Sequence, residues 1–192
     1  MKTRSLPNFK YNFRAPGSQV EGPIRSAIGR TVLGQLIVGR SSRGICAIFL
    51  GDDARALQEQ LAAAFPGVEL QTDQAALARE LGQVVAFIDK DNAEGVIDLD
   101  IGGTLFQQKV WHALCGIPVG KTRSYADVAH DLGVPEAVRA VAGACAANVL
   151  AIAIPCHRVV RGDGSISGYR WGIERKRALL DGEAAEAVEL AA

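Results

Sequence analysis

A chain of 192 residues with 21 basic and 21 acidic side chains carries no formal net charge, and 48% hydrophobic against 22% charged residues is enough apolar material to bury a core. Those values exclude a disordered or collagen-like chain over most of the length. The longest uncharged stretch, residues 140–156, is too short and too interrupted by asparagine and proline for a membrane span.

No apolar segment follows the basic N-terminus, so no secretory signal is expected, and the compartment expected is a reducing bacterial-type cytosol with no membrane partner. Four cysteines, Cys46, Cys115, Cys145 and Cys156, then stay as free thiols, and the lack of any CxxC pair argues against a zinc ribbon or a thioredoxin-like site. Residues 1–23, with three prolines, are expected to be a flexible tail. Two β-branched runs at 31–40 and 44–51, separated by Ser-Ser-Arg-Gly, predict a hairpin. Asp52 and Asp53 supply an N-cap for a helix over 54–65 that Pro66-Gly67 stops. A short strand at 68–71 precedes a helix over 74–89, capped by Thr72 or Asp73, with Leu77, Leu81, Val84, Val85 and Ile88 on one face. The alternation of 96–101 predicts a strand. Residues 24–103 thus predict an α+β domain with an antiparallel sheet and helices, and no catalytic constellation falls in it.

The texture changes at Thr104, a candidate N-cap for a helix whose Phe106, Val110 and Leu114 share a face. Pro118-Val119-Gly120 ends that helix, Ser124 caps a shorter one over 125–132, and Gly133 terminates it. Pro135 then opens a third helix, as a first-turn proline should. The last two make a helix-turn-helix pattern, with the third helix as reader. Between Arg139 and Asn148 every residue is Ala, Val, Gly or Cys, which lets this helix approach closely either a protein core or a nucleic-acid groove. Residues 152–154 read as a buried strand-like run, 161–168 as a turn-rich wing, and a last helix follows with Glu174 near its start; 186–192 read as a C-terminal tail. Residues 1–103 carry 11 basic and 12 acidic side chains, whereas 104–182 carry 10 basic and 6 acidic, a mild bias that fits a nucleic-acid surface or ordinary fluctuation. The charge runs at 121–123 and 175–177 suit phosphate contact or a solvated face.

Cys156 stands next to His157, and a thiolate rather than a thiol attacks electrophilic carbon. Adjacent residues on a plain strand point to opposite faces, but Pro155 fixes the backbone there, and a tight turn would bring both side chains round one site. By itself a Cys-His pair is weak evidence. The block Ile154-Pro155-Cys156-His157-Arg158-Val159-Val160 behind a helix-turn-helix is far more specific.

That block resembles the active-site motif of the O6-alkylguanine-DNA alkyltransferases, which repair alkylated DNA by suicide transfer to their own cysteine. The likeness runs from Phe106 to Glu183 and takes in Ser-Tyr-Ala-Asp-Val-Ala, the reading helix and Gly-Tyr-Arg-Trp-Gly; residues 39–53 resemble the Ada-type branch more loosely. It implies that residues 104–185 form a winged-helix-like domain, that Cys156 accepts the alkyl group, that a water links its thiol to His157 as base, and that Glu183 charge-balances His157. Asn148 would fix the turn before the active-site loop. Tyr125 would press on a phosphate and protonate the leaving guanine, Arg139 would fill the vacated stack, and Val159, Tyr169 and Arg170 would help line the base pocket. The DNA-facing set would comprise Lys121, Arg123, Ser124, Tyr125, Arg139 and Ala140. Taken singly, each of these residues has an ordinary structural reading: a packing tyrosine, a solvated arginine, a helix-capping asparagine. The implied partner is double-stranded DNA carrying O6-alkylguanine, met in the minor groove by a monomer; O4-alkylthymine is left open as a second lesion. No cofactor and no metal are expected, since the cysteine-zinc module of Ada-type proteins has no counterpart in the cysteine-free first 45 residues. His112 and His130 read as structural or surface residues. Arg170-Trp171 stand where many members carry smaller residues, which narrows the expected pocket, and Cys145 sits near it. Two rival readings remain: a non-catalytic helix-turn-helix DNA-binding regulator, and an unrelated Cys-His hydrolase.

Overall fold

Eight strands and six helices emerge in the computed structural model, which describes residues 8–91 and 94–191. The chain divides between Gly103 and Thr104 into two compact units.

In the first unit, β2 (Ile24–Thr31), β3 (Gly34–Arg40) and β4 (Ile45–Gly51) form an antiparallel meander. The expected hairpin is therefore its second half. Its first turn, at Val32-Leu33, lies inside what the sequence suggested was a single strand. Strands β1 (Asn8–Phe13), β5 (Leu70–Thr72) and β6 (Val96–Ile101) complete a six-stranded sheet in the order β1-β6-β4-β3-β2-β5. β1 and β4 each pair with β6 in parallel, and β2 with β5, so the sheet is mixed rather than wholly antiparallel. β1 corrects the expected 1–23 tail: from Asn8 the chain pairs with Val96 onwards, and Phe9 rests against Phe87 at 5.0 Å between ring centroids. Residues 1–7 of that tail lie outside the described residues. Helix α1 (Ala54–Ala64) starts at Asp53, whose carboxylate accepts from the Ala56 N–H at 2.8 Å, and buries Leu57 and Leu61. Helix α2 (Ala78–Asp89) buries Leu81, Val84 and Ile88. It begins four residues later than expected because 74–77 form turns, the first closed by Asp73 accepting from the Ala76 N–H. Inside this unit Arg14 and Asp100 form a buried ion pair at 3.1 Å, and the Ser41 hydroxyl donates to the same carboxylate at 2.6 Å.

The second unit opens with α3 (Leu105–Cys115), held at its start by a capping box between Thr104 and Gln107. A two-residue strand β7 (Arg123–Ser124) leads into α4 (Tyr125–Asp131), whose capping box joins Ser124 and Asp127. A 3-10 turn at Pro135–Ala137 runs into α5 (Val138–Ala146), completing the helix-turn-helix. The small side chains of α5 let it pack closely on α3, where the Trp111 indole N–H donates to the Ala144 carbonyl at 2.8 Å. Residues 152–154 are buried as expected but are no strand: they curl through turns, with Ile152 in the left-handed region at φ 61°. Strand β8 (Val159–Val160) pairs in parallel with β7, and α6 (Ile173–Ala191) closes the unit. Residues 186–191, expected as tail, continue α6, because a run of Ala, Glu and Leu favours the helix. Ala187 packs on the loop after α3, at Gly120. There φ is +73°, and a Cβ would lie 2.6 Å from that of Ala187 and 3.1 Å from the Glu183 carbonyl oxygen, so only glycine fits. Among the described residues no helix is long and apolar enough to cross a membrane.

Candidate active site

Asn148, just past the end of α5, organises the loop that follows. It is fully buried; its Oδ1 accepts from the Leu150 N–H at 2.8 Å, and its Nδ2 donates to the carbonyls of Leu150 and Ile154 at 3.2 and 3.0 Å. The same Nδ2 reaches Cys156 Sγ at 3.2 Å. One amide therefore curls 149–155 and aims an N–H at the sulfur, which a strand through these residues could not do.

Cys156 begins a 3-10 turn over Cys156–Arg158. Its side chain, 4% exposed, lines a cavity of about 380 Å³ shared with Tyr125, Ala142, Cys145, Tyr169 and Arg170. That volume lies in the range of roughly 300–1,000 Å³ typical of small-ligand pockets. Burial pushes the thiol up to about 11, against the opposing pull of the Asn148 hydrogen bond and the Lys176 charge. The resting sulfur is thus a protonated thiol rather than the thiolate that its histidine neighbour suggests, and no hydrogen bond joins it to the imidazole among the described residues.

The imidazole faces Glu183 instead: His157 Nε2 lies 2.8 Å from Oε1. Burial alone would raise the Glu183 carboxyl, but the hydrogen bonds from His157 and Arg158 outweigh it and hold the group at about 2. An ionised carboxylate accepts, so Nε2 carries the proton and Nδ1 keeps its lone pair. Nδ1 is buried without a hydrogen-bond partner among the described residues. Burial also lowers the His157 pKa, more than Glu183 raises it, so the ring is neutral at pH 7.

Tyr125, the first residue of α4, places its hydroxyl 2.6 Å from Ser167 Oγ at the cavity wall, and burial keeps the phenol protonated. The Tyr169 ring stands at 81° to His157 and at 72° to Trp171, and its hydroxyl is buried with no partner among the described residues. Arg170 donates to the Ala146 carbonyl at 3.3 Å, tying the wing to the end of α5. The carbonyl of Val159 accepts from Lys176. Away from the cavity, Arg139 and Ala140 are exposed on α5, and Lys121 is exposed in the loop before α4. Arg123 is paired with Asp131, and the Ser124 hydroxyl is spent on its own helix cap. The structure thus gathers Cys156, Tyr125, Tyr169 and Arg170 around one space, backs it with Asn148, His157 and Glu183, and leaves Arg139, Ala140, Lys121 and Arg123 on the surface.

Three residues of this site carried no expected role in it. Lys176 falls in the 175–177 run suited to phosphate contact, yet it is wholly buried, donating to the Val159 carbonyl at 2.5 Å and to Ser167 Oγ at 2.8 Å. Ser167 thereby links Lys176 to Tyr125. Arg158 grips Glu183 with Nε and Nη2, both at 2.9 Å. Only its place in the Pro-Cys-His-Arg-Val block could have signalled it.

A family model described as "6-O-methylguanine DNA methyltransferase, DNA binding domain" matches residues 105–185. The chain is 50% identical over 161 residues to the bifunctional transcriptional activator/DNA repair enzyme Ada of Escherichia coli, covering 84% of this chain and 46% of that protein. It thus spans about half the length of the Ada proteins it matches. It is 39% identical over 137 residues to the inducible methylated-DNA–protein-cysteine methyltransferase of Bacillus subtilis, covering 70% of this chain and 76% of the relative. Mycobacterium tuberculosis OGT, crystallised in complex with DNA, superposes with a TM-score of 0.70 at 33% identity over 84% of this chain and 93% of that one. With this fold, a cysteine in a cavity backed by an asparagine, a histidine and a glutamate, and relatives of this similarity, the chain belongs to the methylated-DNA–protein-cysteine methyltransferase family.

Proposed function

We propose that this chain repairs DNA by moving a methyl or larger alkyl group from O6 of guanine onto Cys156 Sγ, once per molecule. The observation that carries the reading is the sulfur on the wall of a 380 Å³ cavity, with an Asn148 N–H on it and the His157–Glu183 pair behind. The S–C bond forms as the C–O6 bond breaks. The thiol proton passes to the Nδ1 lone pair of His157, through a bridging water in the family's manner, and Glu183 steadies the resulting imidazolium. The guanine leaves with a proton from the Tyr125 phenol, which Lys176 and Ser167 hold in line. A thioether does not hydrolyse at neutral pH, so the acceptor is consumed.

The alkylated base cannot be reached inside a duplex, so it must swing out, at a cost of a few kcal/mol that is least for a poorly paired lesion. Arg139, exposed and without a partner among the described residues, suits the vacated stack because a guanidinium plane stacks on bases. A reading helix of small side chains supports close, sequence-independent approach through the minor groove by a monomer, with Lys121 as a phosphate contact.

The test incubates the protein with a duplex carrying O6-methylguanine labelled in the methyl group. One label per chain, mapped by mass spectrometry to Cys156, is expected. Duplex binding with the methyl left on the DNA would establish the regulator reading instead, and turnover of many ester substrates per molecule the hydrolase reading.

A further inference from the structure

Arg158 follows His157 in the same 3-10 turn, with its side chain 12% exposed and each of its three guanidinium nitrogens donating. Nε donates to Glu183 Oε2 and Nη2 to Oε1, each at 2.9 Å, while Nη1 donates to the Ile117 carbonyl at 2.6 Å. A planar fork makes this arrangement; an ammonium could supply the charge but not the three directions. Oε1 of Glu183 is shared between Arg158 Nη2 and His157 Nε2.

One buried negative charge thus has two candidates to balance it. Beside a lone carboxylate in a poorly polarisable site, an imidazole gains a proton, because the ion pair is favoured over an uncompensated charge. A guanidinium does not give up its proton, so here the charge is already met. A protonated ring would then add a second positive charge beside Arg158. The other groups facing the ring point the same way: buried Lys176 on α6 adds positive charge, while the Tyr169 phenol and the Cys156 thiol are uncharged. None of them supplies a second anion.

We propose that Arg158 is a positioning residue that takes up the charge of Glu183 and thereby keeps His157 neutral, its Nδ1 lone pair open to receive the thiol proton. The use of that lone pair rests on the proposed alkyl transfer; the charge state itself does not.

The test therefore has two arms. In the first, the three histidines of the free protein are titrated by NMR, with His157 assigned by its loss in His157→Gln. In Arg158→Gln the His157 midpoint is expected to rise by about one unit or more. In Arg158→Lys, which keeps the charge and loses the fork, it stays near that of the unaltered protein. A midpoint that stays put in Arg158→Gln, or moves equally in both variants, overturns the proposal. Should Arg158→Gln not fold, the neutral pair Arg158→Gln/Glu183→Gln is compared with Glu183→Gln alone: the His157 midpoint is expected to lie higher in the double variant, and an equal midpoint in the two overturns the proposal. In the second arm, single-turnover methyl transfer is followed against pH. The acid limb of the Arg158→Gln profile moves to higher pH by the same interval and the rate recovers in alkali, whereas a purely structural role would lower the rate equally at every pH. An unaltered protein that transfers no methyl would defeat the repair reading and leave the titration to decide the role of Arg158 alone.

Discussion

Each unit buries one carboxylate against an arginine, and the two clusters do different work. In the first unit Asp100 is closed between Arg14 and the Ser41 hydroxyl, with Arg43 at 3.9 Å, and the cluster ties β6 to the chain just after β1. In the second, Glu183 is gripped by Arg158, but its other partner is His157, whose second nitrogen is left open next to a cavity lined by a thiol. A buried ion pair by itself therefore says little about function; what separates the two is a titratable ring with one lone pair uncommitted and space beside it.

The largest effect is expected at Cys156 Sγ; the first unit's own buried thiol, Cys46, donates to the Gly39 carbonyl at 3.5 Å. Cys156→Ala should abolish methyl acceptance while leaving duplex binding intact, read by label retention and by gel shift; residual acceptance would move the acceptor elsewhere. Next, Glu183→Gln and Asp100→Asn should separate the clusters directly. Each strips a buried arginine of its counter-charge and should cost about 3 kcal/mol or more in stability by denaturant titration. Per folded molecule, however, Glu183→Gln should slow methyl transfer on the order of 100-fold and Asp100→Asn hardly at all. Equal slowing would mean that both clusters are structural. A smaller effect is expected outside the cavity: Arg139→Ala should slow repair in duplex roughly tenfold, about 1.4 kcal/mol, while leaving reaction with the free O6-alkylated base unchanged. Equal slowing of both would remove the stacking role.

The smallest effect is on the pH dependence of stability. His157 titrates lower folded than unfolded, so below its ordinary value of 6.5 the unfolded chain binds more protons and stability falls. Glu183 is held at about 2 against an ordinary 4.5, so its contribution is present above 4.5 and lost as the pH falls towards 2. Calorimetry should show the melting temperature decline in two stages on acidification, with the upper stage missing in His157→Gln.

Much of the helical unit was legible because its signals are local. Thr104 and Ser124 announce helix starts within three residues, and the Pro-Cys-His-Arg block names the proposed acceptor and its neighbours. What stayed hidden depends on distant partners or on burial. The pairing of β1 with β6 joins residues 88 apart, and no local pattern in 8–13 reveals it. Lys176 sits between two arginines that look like a solvated run, but a helix turns successive residues about 100° apart. Arg175 and Arg177 stay near the surface while the lysine points inward. Residues 152–154 have strand-like composition, and it is the Asn148 amide that curls them. That the resting sulfur is protonated follows from burial, which residue identities do not encode.

The edge-on contact between Tyr169 and Trp171, at 5.1 Å between ring centroids, has a practical consequence. The chain's two tryptophans, Trp111 and Trp171, both lie in the second unit, one fixed to α5 and the other against Tyr169 on the wall of the cavity. Tryptophan emission is therefore blind to the sheet unit. A melt followed by fluorescence and again by circular dichroism would reveal whether the two halves unfold together, and quenching at Trp171 would give an optical signal for a base entering the cavity.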